Sequence, residues 1–283
     1  MQRLTMPASL QKNMVLVSDY CQEHTYRKNG GDVVKPIQKM MIDGKTVCPR
    51  CEVEKETAAI SKSESDRFHE IERLKNYNVL YDKSILSDVT ILTATFENYT
   101  AEGKEQIENK SAMLMYLEQL KEGAVFNIIL QGNQGVGKSH LAYALLQELN
   151  NHDRDETPKK TCLFVNVYDM METIKNSFRN KESQYTEFYF KELLSSVDYL
   201  VLDDLGAETG AIDTNKVASD FVHRVLYGVS TARQGKVTIT TFNLSSQKLF
   251  SMYDRKTISR ILRNPRSVVF KETKDKRMEQ LGF

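Results

Sequence analysis

The eight residues Gly132-Asn133-Gln134-Gly135-Val136-Gly137-Lys138-Ser139 have the types and spacing that a nucleoside triphosphate requires. A chain of phosphates carries several negative charges and must be met by backbone N–H groups at close range. Gly132, Gly135 and Gly137 permit that approach because no Cβ stands in the way. Lys138 adds a point charge for the β and γ phosphates, and the Ser139 hydroxyl can ligate Mg²⁺ at the start of a helix. His140 follows in the first helical turn and is counted with the loop as a nucleotide contact. The chemistry expected is ATP binding and hydrolysis.

Three further groups complete a hydrolytic set. Val197-Asp198-Tyr199-Leu200-Val201-Leu202-Asp203-Asp204 is an apolar run ending in two carboxylates. Acids at the carboxyl ends of buried parallel strands stand where ligands bind. Asp203 is assigned to Mg²⁺, and Asp204 to orienting and deprotonating the attacking water; as an alternative, Asp204 is a helix cap. Asn243, just past the strand pattern Lys236–Thr241, is either a turn residue or a group that positions the water or the γ-phosphate.

A second chemistry is written near the amino terminus. Cys21-x2-His24 and Cys48-x2-Cys51 offer two ligand pairs, and tetrahedral Zn²⁺ suits three thiolates and one imidazole. The segment is polar and short of core-forming residues, whereas structural zinc contributes about 10 to 16 kcal/mol of apparent binding free energy in small domains. Two unrelated half-motifs are the plain alternative. Cys162 sits inside a strand pattern and reads as core. His69, His152 and His223 have no partner pattern for a metal.

The elements that must position these groups follow from periodicity. Short apolar runs near Val125–Gln131, Thr161–Val167, Tyr199–Asp203, Lys236–Thr241 and Ser267–Phe270 alternate with helical patterns, which predicts an α/β fold with a mainly parallel sheet. Leu141, Leu145 and Leu149 form one helix stripe; Met170, Ile174 and Phe178 form another; Phe221, Val225 and Leu226 form a third. Residues 1 to about 55 read as loop-like, and Phe68, Ile71 and Leu74 mark a helix from Ser61 to about Tyr77. The expected organisation is a zinc-binding module at 1–58, a helical linker at 59–95 and an ATPase domain at 96–283.

The chain has 283 residues, 40% hydrophobic and 27% charged, with a formal net charge of +1. That composition suits a folded globular protein and argues against disorder. Charge is uneven: from Ser245 to Phe283 there are ten Lys or Arg against four Asp or Glu, a patch suited to phosphate backbones or simply a solvated face. No apolar stretch approaches the roughly 20 residues of a membrane span, and the first ten residues lack the apolar core of a signal peptide, so a cytoplasmic location is expected.

From about Phe96 to Phe283 the chain resembles the AAA+ replicative helicase loaders of the DnaC/DnaI type, a family with phage-encoded members. The shared features are Gly137-Lys138-Ser139-His140-Leu141-Ala142, the stretch from Asp169-Met170-Met171 through Ser177-Phe178-Arg179-Asn180, and Leu202-Asp203-Asp204-Leu205-Gly206. The resemblance implies a P-loop sheet of five parallel strands in the order 5-1-4-3-2, with Asn243 facing the γ-phosphate as a first sensor. It places an arginine finger, directed at a neighbouring subunit's ATP, in Ser259-Arg260-Ile261, with Arg260 chosen over nearby Arg255 and Arg263. It places a second sensor at Lys276-Arg277, with Arg277 taken as the nucleotide contact. It also implies single-stranded DNA contacts, Phe178 stacking a base while Lys175 and Arg179 meet phosphates; Phe178 equally fits its helix's core stripe.

By the same resemblance the zinc-bearing amino-terminal domain docks the hexameric replicative helicase, and the ATPase domains self-associate and deliver it to single-stranded DNA. The sequence departs from the family in carrying Asp204 where Glu is usual, a base one methylene shorter, which implies slow turnover stimulated by DNA or partner. An ATP-gated adaptor with little turnover and a transposition-helper ATPase are the alternatives, the second disfavoured by the cysteine and histidine pairs.

Overall fold

The structure is a computed structural model that describes residues 15–28, 30–152, 160–210 and 217–276. The chain packs as two units, residues 1–72 and 73–283.

In the first unit β1 (Val15–Cys21) pairs antiparallel with β4 (Ile37–Ile42), which pairs with β5 (Lys45–Val47). A separate hairpin joins β2 (Thr25–Lys28) to β3 (Gly31–Val34). These five strands fall where the sequence reads as loop. Only Cys21 and Met40 among their residues are buried, so the inside–outside alternation that betrays a strand is missing. Helix α1 (Pro49–Asp82) then carries the chain into the second unit. It extends the expected helix at both ends. Pro49 is pre-organised for a first helical position, and no glycine or further proline interrupts the helix up to Asp82.

The second unit is built on five parallel strands: β6 (Asn127–Gly132), β7 (Cys162–Asn166), β8 (Tyr199–Asp203), β9 (Val237–Phe242) and β10 (Pro265–Phe270). Their order is β10-β6-β9-β8-β7, the 5-1-4-3-2 arrangement expected. Strands β7, β8 and β9 are buried throughout because helices cover both faces. Pro265, which has no N–H to donate, opens the edge strand.

Period-two alternation decides which face each strand residue joins. Ile128, Leu130, Val201 and Ile239 pack with α2 (Lys104–Lys121) and α3 (Lys138–His152). Ile129, Leu163, Leu200 and Leu202 pack with α4 (Val167–Ser177), α5 (Glu187–Ser196) and α6 (Asp220–Ala232). Two short helices, α7 (Ser246–Met252) and α8 (Arg255–Ile261), lead to the edge strand. Leu141, Leu145, Leu149, Met170, Ile174, Val225, Leu226 and Cys162 are all core, as their stripes predict. Phe178 is not: it caps α4 and is 61% exposed. Among the described residues no helix is long and apolar enough to cross a membrane.

Candidate active site

Strand β6 ends at Gly132 and α3 begins at Lys138, so the phosphate loop is the turn between a buried strand and a helix N-terminus, where backbone N–H groups and the helix dipole favour an anion. Gly137 has φ +95°, and a Cβ there would stand 2.6 Å from the Tyr99 ring, so glycine is required twice over. Val136 is fully buried and anchors the loop from below. Lys138 Nζ donates to the Asn133 carbonyl at 2.7 Å and lies folded over the loop.

The carboxyl end of β8 delivers Asp203 to the same place. Ser139 Oγ donates to Asp203 Oδ1 at 2.7 Å, and Thr241 Oγ1, from the end of β9, donates to the same oxygen at 2.7 Å. Burial and the neighbouring Asp204 charge push Asp203 up to about 6, against the two hydroxyl donors and Lys138. Thr241 Oγ1 also accepts from the Asp204 N–H at 2.9 Å. One hydroxyl thus aligns both acids. No sequence motif marks Thr241; the pairing of β9 between β6 and β8 brings it there.

A cavity of about 580 Å³ opens above these groups. Gln134, Gly135, Gly137, Lys138, Ser139, His140, Asp204 and Asn243 line it, so residues of the loop, the β8 end and the β9 end meet at one cavity. Its far rim, Asp88, Thr90, Ile91, Thr93 and Ala94, was not legible in the sequence, since it comes from a 3-10 turn (Val89–Thr93) with no phosphate signature. His140 Nε2 donates to the Thr95 carbonyl at 2.9 Å, and burial lowers its pKa, which favours the neutral ring. Lys276 also lines the cavity: its N–H donates to the Gly135 carbonyl at 3.1 Å, and its ammonium lies 4.1 Å from the Tyr99 ring centre. Arg277 lies outside the described residues.

Arg260 stands elsewhere, on α8. Its guanidinium lies 4.7 Å from the Tyr227 ring centre and donates to the Lys256 carbonyl at 2.9 Å. It lines a different cavity together with Asn127 and Thr238, at the starting ends of β6 and β9, opposite the phosphate loop. Arg255 and Arg263 are exposed. At the end of α4 and just past it, Lys175 pairs with Glu172 at 2.7 Å, Arg179 is exposed, and Phe178 meets Phe221 edge-to-face at 5.7 Å.

In the first unit, Cys21, His24, Cys48 and Cys51 present ligand atoms all within 4.8 Å of one another. Cys21 Sγ and Cys51 Sγ are 3.7 Å apart; His24 Nε2 is 3.3 Å from Cys48 Sγ and 3.2 Å from Cys51 Sγ. A tetrahedral ion with metal–sulfur distances of about 2.3 Å would set sulfurs about 3.8 Å apart, so the set fits zinc. Glu54 Oε2 stands 3.5 Å from His24 Nδ1, the outer partner a ligating imidazole commonly has. Burial raises the Cys51 thiol to about 12, together with Cys21 and Cys48 beside it. Cys48 is drawn down to about 7: burial opposes ionisation there, but the Cys51 and Arg50 amides and His24 favour the thiolate. Among the described residues of this unit only Cys21, His24, Met40 and Cys48 are buried, so three of its four interior residues are ligand candidates.

A parallel 5-1-4-3-2 sheet with a phosphate loop after its first strand and an acid pair closing the third defines an AAA+ ATPase fold. The comparisons extend this. Residues 92–260 match the family described as the bacterial DnaA ATPase domain, and the chain belongs to that family. It is similar to the replicative helicase loader DnaC of Escherichia coli strain K12, 29% identical over 202 residues that cover 70% of this chain and 77% of that protein. The crystal structure of the DnaC helicase loader superposes with a TM-score of 0.53 at 21% identity, covering 65% of this chain and all of that one. A crystal structure of DnaI gives 0.50 at 22% identity, over 66% and 96%.

Proposed function

We propose that the protein is an ATP-dependent loader of a replicative helicase. The observation that carries the ATP half is the convergence of Ser139 and Asp203, 2.7 Å apart, with Lys138, Asp204 and Asn243 around one cavity. Gly132, Gly135, Gly137 and the intervening backbone cradle the triphosphate. Lys138 and Lys276 supply positive charge, and Ser139 and Asp203 hold Mg²⁺, which offsets the charge that develops on the phosphates. Asp204 accepts the proton of the attacking water, and Asn243 orients that water against the γ-phosphate.

Arg260 stands remote from its own phosphate loop, where it would serve as a finger for the site of another subunit; self-association is therefore part of the proposal. Lys175, Phe178 and Arg179 offer two cations and an exposed ring on one helix end, the mixture that tracks single-stranded DNA. The Cys21, His24, Cys48 and Cys51 set holds Zn²⁺ and fixes the fold of the first unit, which docks the helicase. The similarity to DnaC supports the loader role.

The test is phosphate release from ATP by the full chain, with and without single-stranded DNA. We expect slow release that DNA accelerates, loss of nucleotide binding in Lys138→Ala, and binding without release in Asp204→Ala. Equal release by wild type and Asp204→Ala removes Asp204 from its role. Nucleotide-dependent helicase capture without release would instead identify an ATP-gated adaptor.

A further inference from the structure

Asp204 has φ +54°, a left-handed conformation that a non-glycine residue keeps only when its surroundings over-determine it. Three backbone links explain part of this. Asp204 N–H meets Thr241 Oγ1 at 2.9 Å, Leu205 N–H meets the Thr241 carbonyl at 2.9 Å, and Ala207 N–H closes on the Asp204 carbonyl at 3.1 Å. A fourth comes from a different part of the fold. Glu208, in the 3-10 turn Ala207–Thr209, accepts the Gly206 N–H on Oε2 at 2.9 Å, and its other oxygen accepts the Tyr253 hydroxyl.

Tyr253 is 3% exposed and ends α7. The next residue, Asp254, caps α8 by accepting the Lys256 N–H at 2.6 Å, and α8 carries Arg260. His223 packs edge-on to the Tyr253 ring. Burial pushes the Glu208 carboxyl upward and the Tyr253 phenol upward as well, so in this pair the phenol is the donor and stays protonated. Nothing in the cavity chemistry above uses either residue.

We propose that Glu208 and Tyr253 are positioning residues for hydrolysis: their hydrogen bond locks the Gly206 amide, and through it the Asp204 turn, to the α7–α8 connector that bears Arg260. The pair thereby ties the subunit's own water-activating turn to the helix with which it reaches a neighbour's nucleotide. This rests on the reading of Asp204 as the base. A movement of α8 at a subunit interface is transmitted to Asp204 through two side chains rather than through the sheet.

The experiment compares Tyr253→Phe, Glu208→Ala and Glu208→Gln in the full chain, reading kcat, ATP affinity from a fluorescent analogue, and thermal midpoint. Removing the hydroxyl or the carboxyl is expected to lower kcat about ten-fold while affinity changes less than about two-fold. Glu208→Gln should rescue turnover to within about three-fold, because its amide oxygen still accepts from Gly206 and its NH₂ donates to the Tyr253 oxygen. A purely structural pair would move affinity and midpoint together with kcat and show no such split. Wild-type turnover in Tyr253→Phe, or in Glu208→Ala should the first variant not fold, overturns the proposal. If Asp204 itself proves dispensable, hydrogen exchange across residues 203–210 decides separately: Tyr253→Phe should speed the Gly206 amide about ten-fold, and unchanged exchange overturns the link.

Discussion

Thr241→Val is the perturbation that tests most of the site at once. Thr241 is fully buried, and valine matches its shape, so no cavity is opened. What disappears is one hydroxyl with two partners: Asp203 Oδ1 at 2.7 Å and the Asp204 N–H at 2.9 Å. A donor bonded to a carboxylate contributes about 1.5 to 3 kcal/mol, and leaving a buried N–H unsatisfied costs about 1 to 3 kcal/mol. The two do not add fully, since Asp203 keeps Ser139 and can take up a proton, so we expect a loss of about 3 kcal/mol. For a unit of about 200 residues that lowers the thermal midpoint by about 6 to 12 °C.

Turnover should fall more than about ten-fold, because Asp203 loses a donor that favours its ionised form and Asp204 loses the anchor of its backbone. Thr241→Ser keeps the hydroxyl and removes one methyl, so it should lie within about 1 kcal/mol of wild type and retain turnover. Differential scanning fluorimetry and phosphate release on the three proteins measure both effects. A Thr241→Val protein that melts within about 2 °C of wild type and hydrolyses ATP at the wild-type rate would refute the view that this hydroxyl aligns the acid pair.

Two further outcomes concern other parts of the chain. Elemental analysis of the native protein should find about one zinc per chain, and Cys48→Ser or a strong chelator should remove it and abolish amide protection across residues 15–50, since ligand candidates make up most of that unit's interior; a metal-free, protected unit would sink the zinc reading. Glu105 accepts the Thr273 hydroxyl and the Lys271, Glu272 and Thr273 N–H groups, which, against burial, hold its carboxyl below the usual range. A depressed folded-state pKa contributes stability above the unfolded value and loses it as pH falls through the folded one, so exchange across residues 271–276, corrected for its intrinsic pH dependence, should rise in wild type as pH falls below the ordinary glutamate range. In Glu105→Gln it should be fast already at neutral pH, and identical profiles in the two proteins would exclude the carboxylate as the anchor.

The phosphate loop, the Asp203–Asp204 strand and the sheet were legible because they are local: a glycine pattern, an apolar run with an acidic end, and strand–helix alternation each lie within a few residues. The cysteine and histidine pairs were legible for the same reason. Residues 15–47 misled, because strands with little buried on either face carry no alternation to read. Phe178 fits a helical stripe by spacing, yet it falls one residue beyond the last turn of α4, where the chain has already left the core.

By itself the sequence determined what the site is made of. Gly132 to Ser139 could hardly form anything except an anion cradle once a buried strand precedes it and a helix follows. Tertiary structure decided what surrounds that cradle: Thr241 against both acids, the Asp88–Ala94 rim, Lys276 on Gly135, and Tyr253 on Glu208. Those partners lie 38 residues from Asp203 in the first case and 45 from Glu208 in the last. Hydrogen bonds between residues so distant in the chain depend on which strands pair and which helices pack, and neither is encoded in the spacing of the groups that meet.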